Sequence, residues 1–427
     1  MRLFYSLIWG LSLSFALLRL WWRGRQEPGY RRHIPERLGF YPSFTATRLI
    51  WVHAVSAGET RAAEPLIRAL LQQYPQHRIL LTHMTATGRE TGALLFADVG
   101  ARLQQAFLPY DINWMMARFL RHFSPEICIL METEVWPNLI AQCQLAEIPV
   151  ALVNARLSEK SLRKALRMQA LILPAAHAIN AVAAQSTPDA DRLMQLGVHQ
   201  SVVTGNMKFD VTPPTDVEAR GRALREQFGK RQVILCASTR DGEEELILEA
   251  FQEQFPLLQE KPLLIITPRH PQRFDQVAQM LEQRAVRYMR RSALEHSAPQ
   301  IPSDIQVLLG DSMGEMYMYY AACDVAFVGG SLVPLGGHNL IEACAMGKPV
   351  LTGSHTFNFS EITDQAIAAQ AALRADGARS MLSLAIALLG NPVKRLQMGQ
   401  QAHAFFLQHQ GATARTLQLL QPWLKQS

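Results

Sequence analysis

The stretch WVHAVSAGET, Trp51–Thr60, decides how the chain is read. An apolar run ends in small residues and a glycine, and a helical pattern, RAAEPLIRALLQQ, follows at once. This is the outline of a first strand, tight loop and first helix, where N–H groups at the helix start favour an anion. Yet the residue after Gly58 is Glu59, and a carboxylate there repels phosphate. Either Glu59 caps the helix, or the nucleotide binds elsewhere and this carboxylate does chemistry.

Outward from that loop, apolar runs alternate with helical patterns. Strands are expected at 48–55, 78–84, 103–108, 126–131, 149–153, 178–184 and 201–204. After a polar stretch, DVTPPTDVEARGRA, a second series follows at 232–237, 262–267, 285–289, 305–309, 323–328 and 349–352. Runs such as EICILME and PLLIITP are apolar without alternation, as in parallel strands covered on both faces. The expected fold is α/β: two Rossmann-like, doubly wound domains facing a cleft. The expected organisation is a membrane anchor at 1–25, a first Rossmann-like domain at 26–215, a second at 216–395, and a C-terminal helix at 396–427 packing back on the first domain.

Of 427 residues, 48% are hydrophobic and 18% charged, which marks a core-forming globular chain. The net charge of +6 is local: residues 1–50 carry eight arginines against Glu27 and Glu36, and the rest is balanced. The basic pI therefore gives no reason to expect nucleic-acid binding. The surplus adjoins LFYSLIWGLSLSFALL, Leu3–Leu18, followed by Arg19, Trp21 and Trp22. Carried on to Trp22, this apolar segment reaches the length that spans a bilayer, with interfacial tryptophans and a basic collar that keeps the body in the cytoplasm. The competing account is a buried amphipathic helix. The five cysteines make no C-x-x-C pair and read as buried thiols in a reducing compartment. No metal cluster is visible.

Ligands of open α/β sheets bind beyond the carboxyl ends of the strands. There the first series presents SAGE (56–59), MTATG (84–88), METEVWPN (131–138), NARLS (154–158) and GNMKFD (205–210). The second presents STRDGEE (238–244), PRHP (268–271), GDSMGE (310–315) and GGSLVPLGGHNLIEACAMGKPV (329–350). Gly336 and Gly337 allow close backbone approach, and His338 and Asn339 then open a helix whose amides would hold a phosphate. Glu342 lies one turn on, within reach of ribose hydroxyls; the alternative is a capping box of Asn339 with Glu342. Arg269, after Pro268, is a second phosphate contact. With the nucleotide on the second domain, Glu59 faces it as a base. Glu132 and Glu134 end an apolar strand, where carboxylates are costly unless used or paired. Lys208 would stabilise charge on a leaving phosphate or anionic sugar.

Two other patterns read structurally. AVSAG lacks the first glycine of a nucleophile elbow, because Ala54 stands there. PDADR (188–192) holds a D-x-D, but Pro188 and Asp189 suit a helix start better than a metal site. SEKSLRKALRMQAL sets Lys160, Arg163, Lys164 and Arg167 along one side, either a solvated face or a membrane or phosphate contact. NWMMARFLRHF (113–123) reads as core.

At these motifs the chain resembles the 3-deoxy-D-manno-octulosonic acid (Kdo) transferases of lipopolysaccharide assembly, membrane-associated glycosyltransferases of GT-B fold. The resemblance is carried by SAGET, METEVWPN, NARLS, KFD, PRHP, GDSMGE, FVGGSLVPLGGHNLIEA, GSHTFNF and YRRHIPERLGFYP (30–42). It implies transfer of Kdo from CMP-Kdo to a lipid A precursor (lipid IVA) at the cytoplasmic face of the bacterial inner membrane, without a bound metal or cofactor. It makes Glu59 the base and points to the Glu132/Glu134 region and Lys208 as aids to the transition state. It assigns CMP contacts to Pro268 and Arg269, to Gly310, Asp311 and Ser312, and to Gly336, Gly337, His338 and Asn339. Rival readings are a GT-B transferase using a UDP donor on a lipid-linked sugar, and a membrane-anchored sugar-nucleotide-binding protein without chemistry.

Overall fold

The computed structural model describes residues 1–25, 27–44, 48–294 and 300–424. It divides into two compact units, Met1–Asp210 with His409–Ser427, and Val211–Gln408.

The first unit holds seven parallel strands: β1 (Leu49–His53), β2 (Arg78–His83), β3 (Leu103–Phe107), β4 (Ile127–Met131), β5 (Val150–Ala155), β6 (Ala181–Ala184) and β7 (Val202–Val203). Their order is β3-β2-β1-β4-β5-β6-β7, a doubly wound sheet whose direction of winding reverses between β1 and β4. All five residues of β1 and of β4 are buried, which explains runs without polar alternation. NWMMARFLRHF forms the helix Asn113–Phe123 and buries Met115, Met116, Phe119, Leu120 and Phe123, as a core helix should. The basic segment forms two helices, Glu159–Leu166 and Gln169–His177, with a turn at Arg167 and Met168 between them.

The second unit holds β8 (Val233–Thr239), β9 (Leu263–Pro268), β10 (Tyr288–Arg290), β11 (Val307–Leu309), β12 (Val325–Val328), β13 (Val350–Thr352) and β14 (Ala372–Arg374). The order is β10-β11-β9-β8-β12-β13-β14, again all parallel, with the reversal between β8 and β12. Strand β14 was not expected from the sequence; its three residues, Ala372, Leu373 and Arg374, are too few, and only half-buried at the last two, to stand out as a strand.

The N-terminal segment is one helix, Arg2–Arg23, long and apolar enough to cross a membrane. No residue in it is buried, so it is not a core helix. One stripe, Trp9, Leu13, Ala16, Leu17 and Leu20, rests on Tyr110, Ile112 and Met115, while Leu3, Phe4, Leu7, Leu11, Phe15 and Leu18 are exposed. At the other end of the chain the terminal pattern forms two helices, Pro392–His409 and Ala412–Leu420, and its last three residues lie outside the described ones. The second of these belongs to the first unit: Asp210 accepts hydrogen bonds from the Gly411 and Thr413 amides, and Arg415 donates to the Thr204 carbonyl. All five cysteines are buried free thiols.

Candidate functional site

In the first unit the chemistry gathers where the winding reverses, beyond β1 and β4. Ser56 caps the helix Ala57–Gln73, accepting from the Glu59 amide. The Glu59 carboxylate turns back on the same loop: Oε2 accepts from the Val55 amide at 2.9 Å and Oε1 from the Ser56 hydroxyl at 2.9 Å. This is a capping box shifted by one residue, since the expected partner would be the amide of Ser56 itself. So the capping role is real. It does not exhaust the residue, because burial pushes the Glu59 carboxyl up to about 7. The Val55 bond opposes that rise, and the charges of Glu134 and Glu132 add to it. A carboxyl poised there can take a proton near neutral pH.

Glu132 follows β4 with φ +56° and is almost fully buried. It is paired twice: Oε2 with Arg156 Nε at 2.9 Å and Oε1 with Lys208 Nζ at 3.5 Å. The left-handed turn lets its amide bond the Val153 carbonyl while its own carbonyl receives the Arg156 amide, fixing the end of β4 to the end of β5. Asn154, also left-handed at φ +51°, accepts from the Met207 amide, and Asn206 accepts from the Lys208 amide. The short turn Met207–Asp210 that carries Lys208 is thereby pinned to the sheet. Glu134 lies close by, bonded to the Trp136 indole; burial first, then Glu132, raises its pKa. Glu59, Glu132, Glu134 and Lys208 thus come together, and Arg156 joins them. The sequence reading passed over Arg156 although NARLS was in view.

In the second unit the switch point between β8 and β12 is built around an acid. Glu243 is fully buried and accepts four backbone N–H bonds, from Arg240, Gly330, Ser331 and Leu332, at 2.6–2.9 Å. It ties the loop after β12 to the end of β8. Gly329 must be glycine there: a Cβ would lie 2.7 Å from the Ser238 carbonyl oxygen.

Gly336 and Gly337 are both left-handed, at φ +95° and +75°, and a Cβ on Gly336 would lie 2.2 Å from Asn358 Nδ2. The helix they precede is shorter than the sequence suggested. It runs Ile341–Ala345 with Leu340 as N-cap, so His338 and Asn339 do not open it. Asn339 Oδ1 accepts from the Ile341 amide, inside the turn that leads into the helix. Glu342 sits in the first turn, where its charge adds to burial in raising the Tyr320 pKa.

His338 packs its ring against Gly330, where a Cβ would meet it at 3.0 Å, and its Nε2 is buried without a hydrogen-bond partner. Burial lowers its pKa to about 4, with Arg269, Arg240 and His270 adding to the effect. His270 is lowered by burial, then by Arg240 and Arg269. Two arginines and two histidines therefore share one electropositive spot at the ends of β8, β9 and the loop after β12. Gly310 is pressed between Thr267 and Tyr319. Asp311 is committed locally, Oδ1 to the Ser292 amide at 2.8 Å and Oδ2 to the Ser292 hydroxyl at 2.6 Å. Ser312 bonds Glu315 and the Tyr319 hydroxyl. Of the D-x-D, Asp189 does start a helix, accepting from the Leu157 amide and pairing with Ser186.

Two parallel doubly wound units, with a carboxylate cluster at one switch point and a cationic cluster at the other, define a GT-B-type α/β protein. The fold matches that of UDP-GlcNAc 2-epimerase from Neisseria meningitidis bound to UDP-GlcNAc, with a TM-score of 0.56 over 88% of this chain and 100% of that one, at 15% identity. Residues 32–211 match the family described as 3-deoxy-D-manno-octulosonic-acid transferase (kdotransferase). The chain is 46% identical over 95% of its length to the 3-deoxy-D-manno-octulosonic acid transferase of Bordetella pertussis, covering 96% of that protein. It is 37% identical to the enzyme of the same name from Haemophilus influenzae, across 100% of this chain and 99% of that one. The chain belongs to the 3-deoxy-D-manno-octulosonic acid transferases, and is a glycosyltransferase.

Proposed function

We propose that the enzyme moves Kdo from CMP-Kdo to a sugar hydroxyl of a lipid A precursor (lipid IVA) in lipopolysaccharide assembly, inverting the anomeric centre. The observation that carries the reading is the desolvated Glu59 carboxyl beside Glu132 and Glu134, with a pKa of about 7. In the proposed step Glu59 takes the hydroxyl proton while the acceptor oxygen attacks the anomeric carbon. The bond to the phosphate oxygen breaks and CMP leaves with the electron pair. Arg269 and His338 meet the charge on the phosphate. Glu132 holds Lys208 near the reacting sugar, and the backbone at Gly310–Ser312 and Gly336–Asn339 supports the nucleotide. Asp311 contributes through its hold on Ser292. No metal or other cofactor takes part in this scheme, so activity should survive EDTA. The helix Arg2–Arg23 attaches the enzyme to the cytoplasmic face of the inner membrane, where the lipid acceptor lies.

The test is mass spectrometry of the lipid after incubation of purified protein with CMP-Kdo and tetraacyl lipid A precursor, beside Glu59→Gln. Kdo increments with wild type that vanish in the mutant while CMP still binds would support donor, acceptor and base. No increment from a folded, CMP-binding wild type would sink the substrate pair. Inhibition by UDP in place of CMP would favour the UDP-donor alternative, and CMP binding with no turnover on any lipid-linked sugar would favour a binding protein.

A further inference from the structure

The cationic spot of the second unit holds one arginine that the scheme above does not use. In the β8–β9 pairing Thr239 stands opposite Pro268, so Arg240 and Arg269 are the first residues beyond the ends of two adjacent parallel strands. The Arg269 amide donates to the Thr239 carbonyl at 2.9 Å, which holds the two backbones together just where both side chains leave them. Neighbouring strands are about 5 Å apart, and like charges side by side on them repel. Such a pair is expected to persist where an anion lies between or beside the two.

Arg240 is half-buried. Its guanidinium makes no ion pair among the described residues, although most arginines of this unit do, including Arg220, Arg225, Arg273, Arg284 and Arg290. The acids next to it in the chain are engaged elsewhere. Glu243 spends its oxygens on four amides, one of them from Arg240 itself, and Asp241 pairs with Arg273. The depressed histidines His270 and His338 report that the charge of Arg240 reaches both. The site therefore offers two fixed positive charges and two ring nitrogens to one ligand.

On the donor assigned above, that ligand carries two separate anions: the phosphodiester and the carboxylate of the octulosonic acid. A phosphodiester carries one negative charge, which a single guanidinium can balance. We infer that Arg240 recognises the carboxylate of the acid sugar, while Arg269 and His338 take the phosphate; the inference rests on the proposed CMP-Kdo donor. A planar, bidentate guanidinium is the group suited to a carboxylate. Arg240 then selects acid-sugar donors over the bare nucleotide.

The experiment uses the full chain in detergent and compares wild type with Arg240→Gln, Arg240→Lys and Arg269→Gln. It reads KM and kcat for CMP-Kdo and the inhibition constant of CMP. Losing a charge-assisted contact should raise KM for CMP-Kdo about tenfold to a hundredfold in Arg240→Gln. CMP inhibition should stay within about twofold of wild type, and Arg240→Lys should recover part of the loss. Arg269→Gln should weaken both. Parallel weakening of CMP and CMP-Kdo in Arg240→Gln would make Arg240 a phosphate contact and overturn the inference, as would no change in either. A wild type neither inhibited by CMP nor active with CMP-Kdo would instead overturn the donor reading from which the inference starts.

Discussion

Glu59→Gln separates the two roles open to Glu59 because they predict stability changes of opposite sign. The folded carboxyl titrates at about 7 against 4.5 for the free group. The folded state therefore binds this proton more tightly than the unfolded chain does, and protonation favours folding. Stability from this group is greatest below pH 4.5 and falls as pH rises through 7. At 1.36 kcal/mol per pKa unit, the ionised group costs about 3 kcal/mol above pH 7. Glutamine removes that cost while its amide oxygen can still accept from the Val55 N–H. The cap it disturbs is worth about 0.5–2 kcal/mol even if lost completely, so relief of desolvation wins. Thermal melts should show Glu59→Gln above wild type at pH 8, by about 5–10 °C for a unit of this size, with the gap closing toward pH 4.5. Transfer should be nearly abolished in the same variant. In wild type, kcat/KM should rise with pH through about 7 as the base ionises. A mutant no more stable than wild type at pH 8, or one that keeps its kcat, would refute the reasoning and leave Glu59 a helix cap.

Other consequences are open to measurement. Glu132→Gln and Lys208→Met break the same ion pair, so the double mutant should lose less stability than the two singles summed, by about 0.5–3 kcal/mol in a denaturant cycle; strict additivity would mean that the 3.5 Å pair carries no energy. Gly336→Ala forces a left-handed alanine into Asn358 and should cost about 1–2 kcal/mol of stability and weaken CMP binding, read by melting and calorimetry. The acid limb of the stability curve should be steep. Burial lowers His53 to about 3 and His83 and His338 to about 4, so each contributes stability that is fully present above pH 6.5 and lost as pH falls toward those values. His53→Gln should flatten the loss between pH 6.5 and 4 in equilibrium unfolding.

The strand ends were legible because a parallel sheet buried on both faces leaves apolar runs whose polar successors stand out. Glu59, Glu132 and Lys208 were found that way, although 73 residues separate the first two in the chain. Their meeting depends on β4 pairing with β1 instead of β3, which is a fact of sheet order. Arg156 and Arg240 stood in motifs already in view and still went unread. A lone arginine after a strand looks like surface charge until the register sets it beside Glu132 or Arg269. Glu243 was hidden differently. Three consecutive glutamates at a helix start look like favourable dipole charges, and only the loop after β12, 87 residues on, reveals that one of them receives amide hydrogen bonds from that loop. The expected helix at His338 failed for a local reason: paired left-handed glycines permit a close approach, and the same geometry delays the first turn. What sequence alone does not encode at these positions is the partner across the sheet. In this fold the partner decides whether a charge is a scaffold, as in Glu243, or is left facing a ligand, as in Arg240.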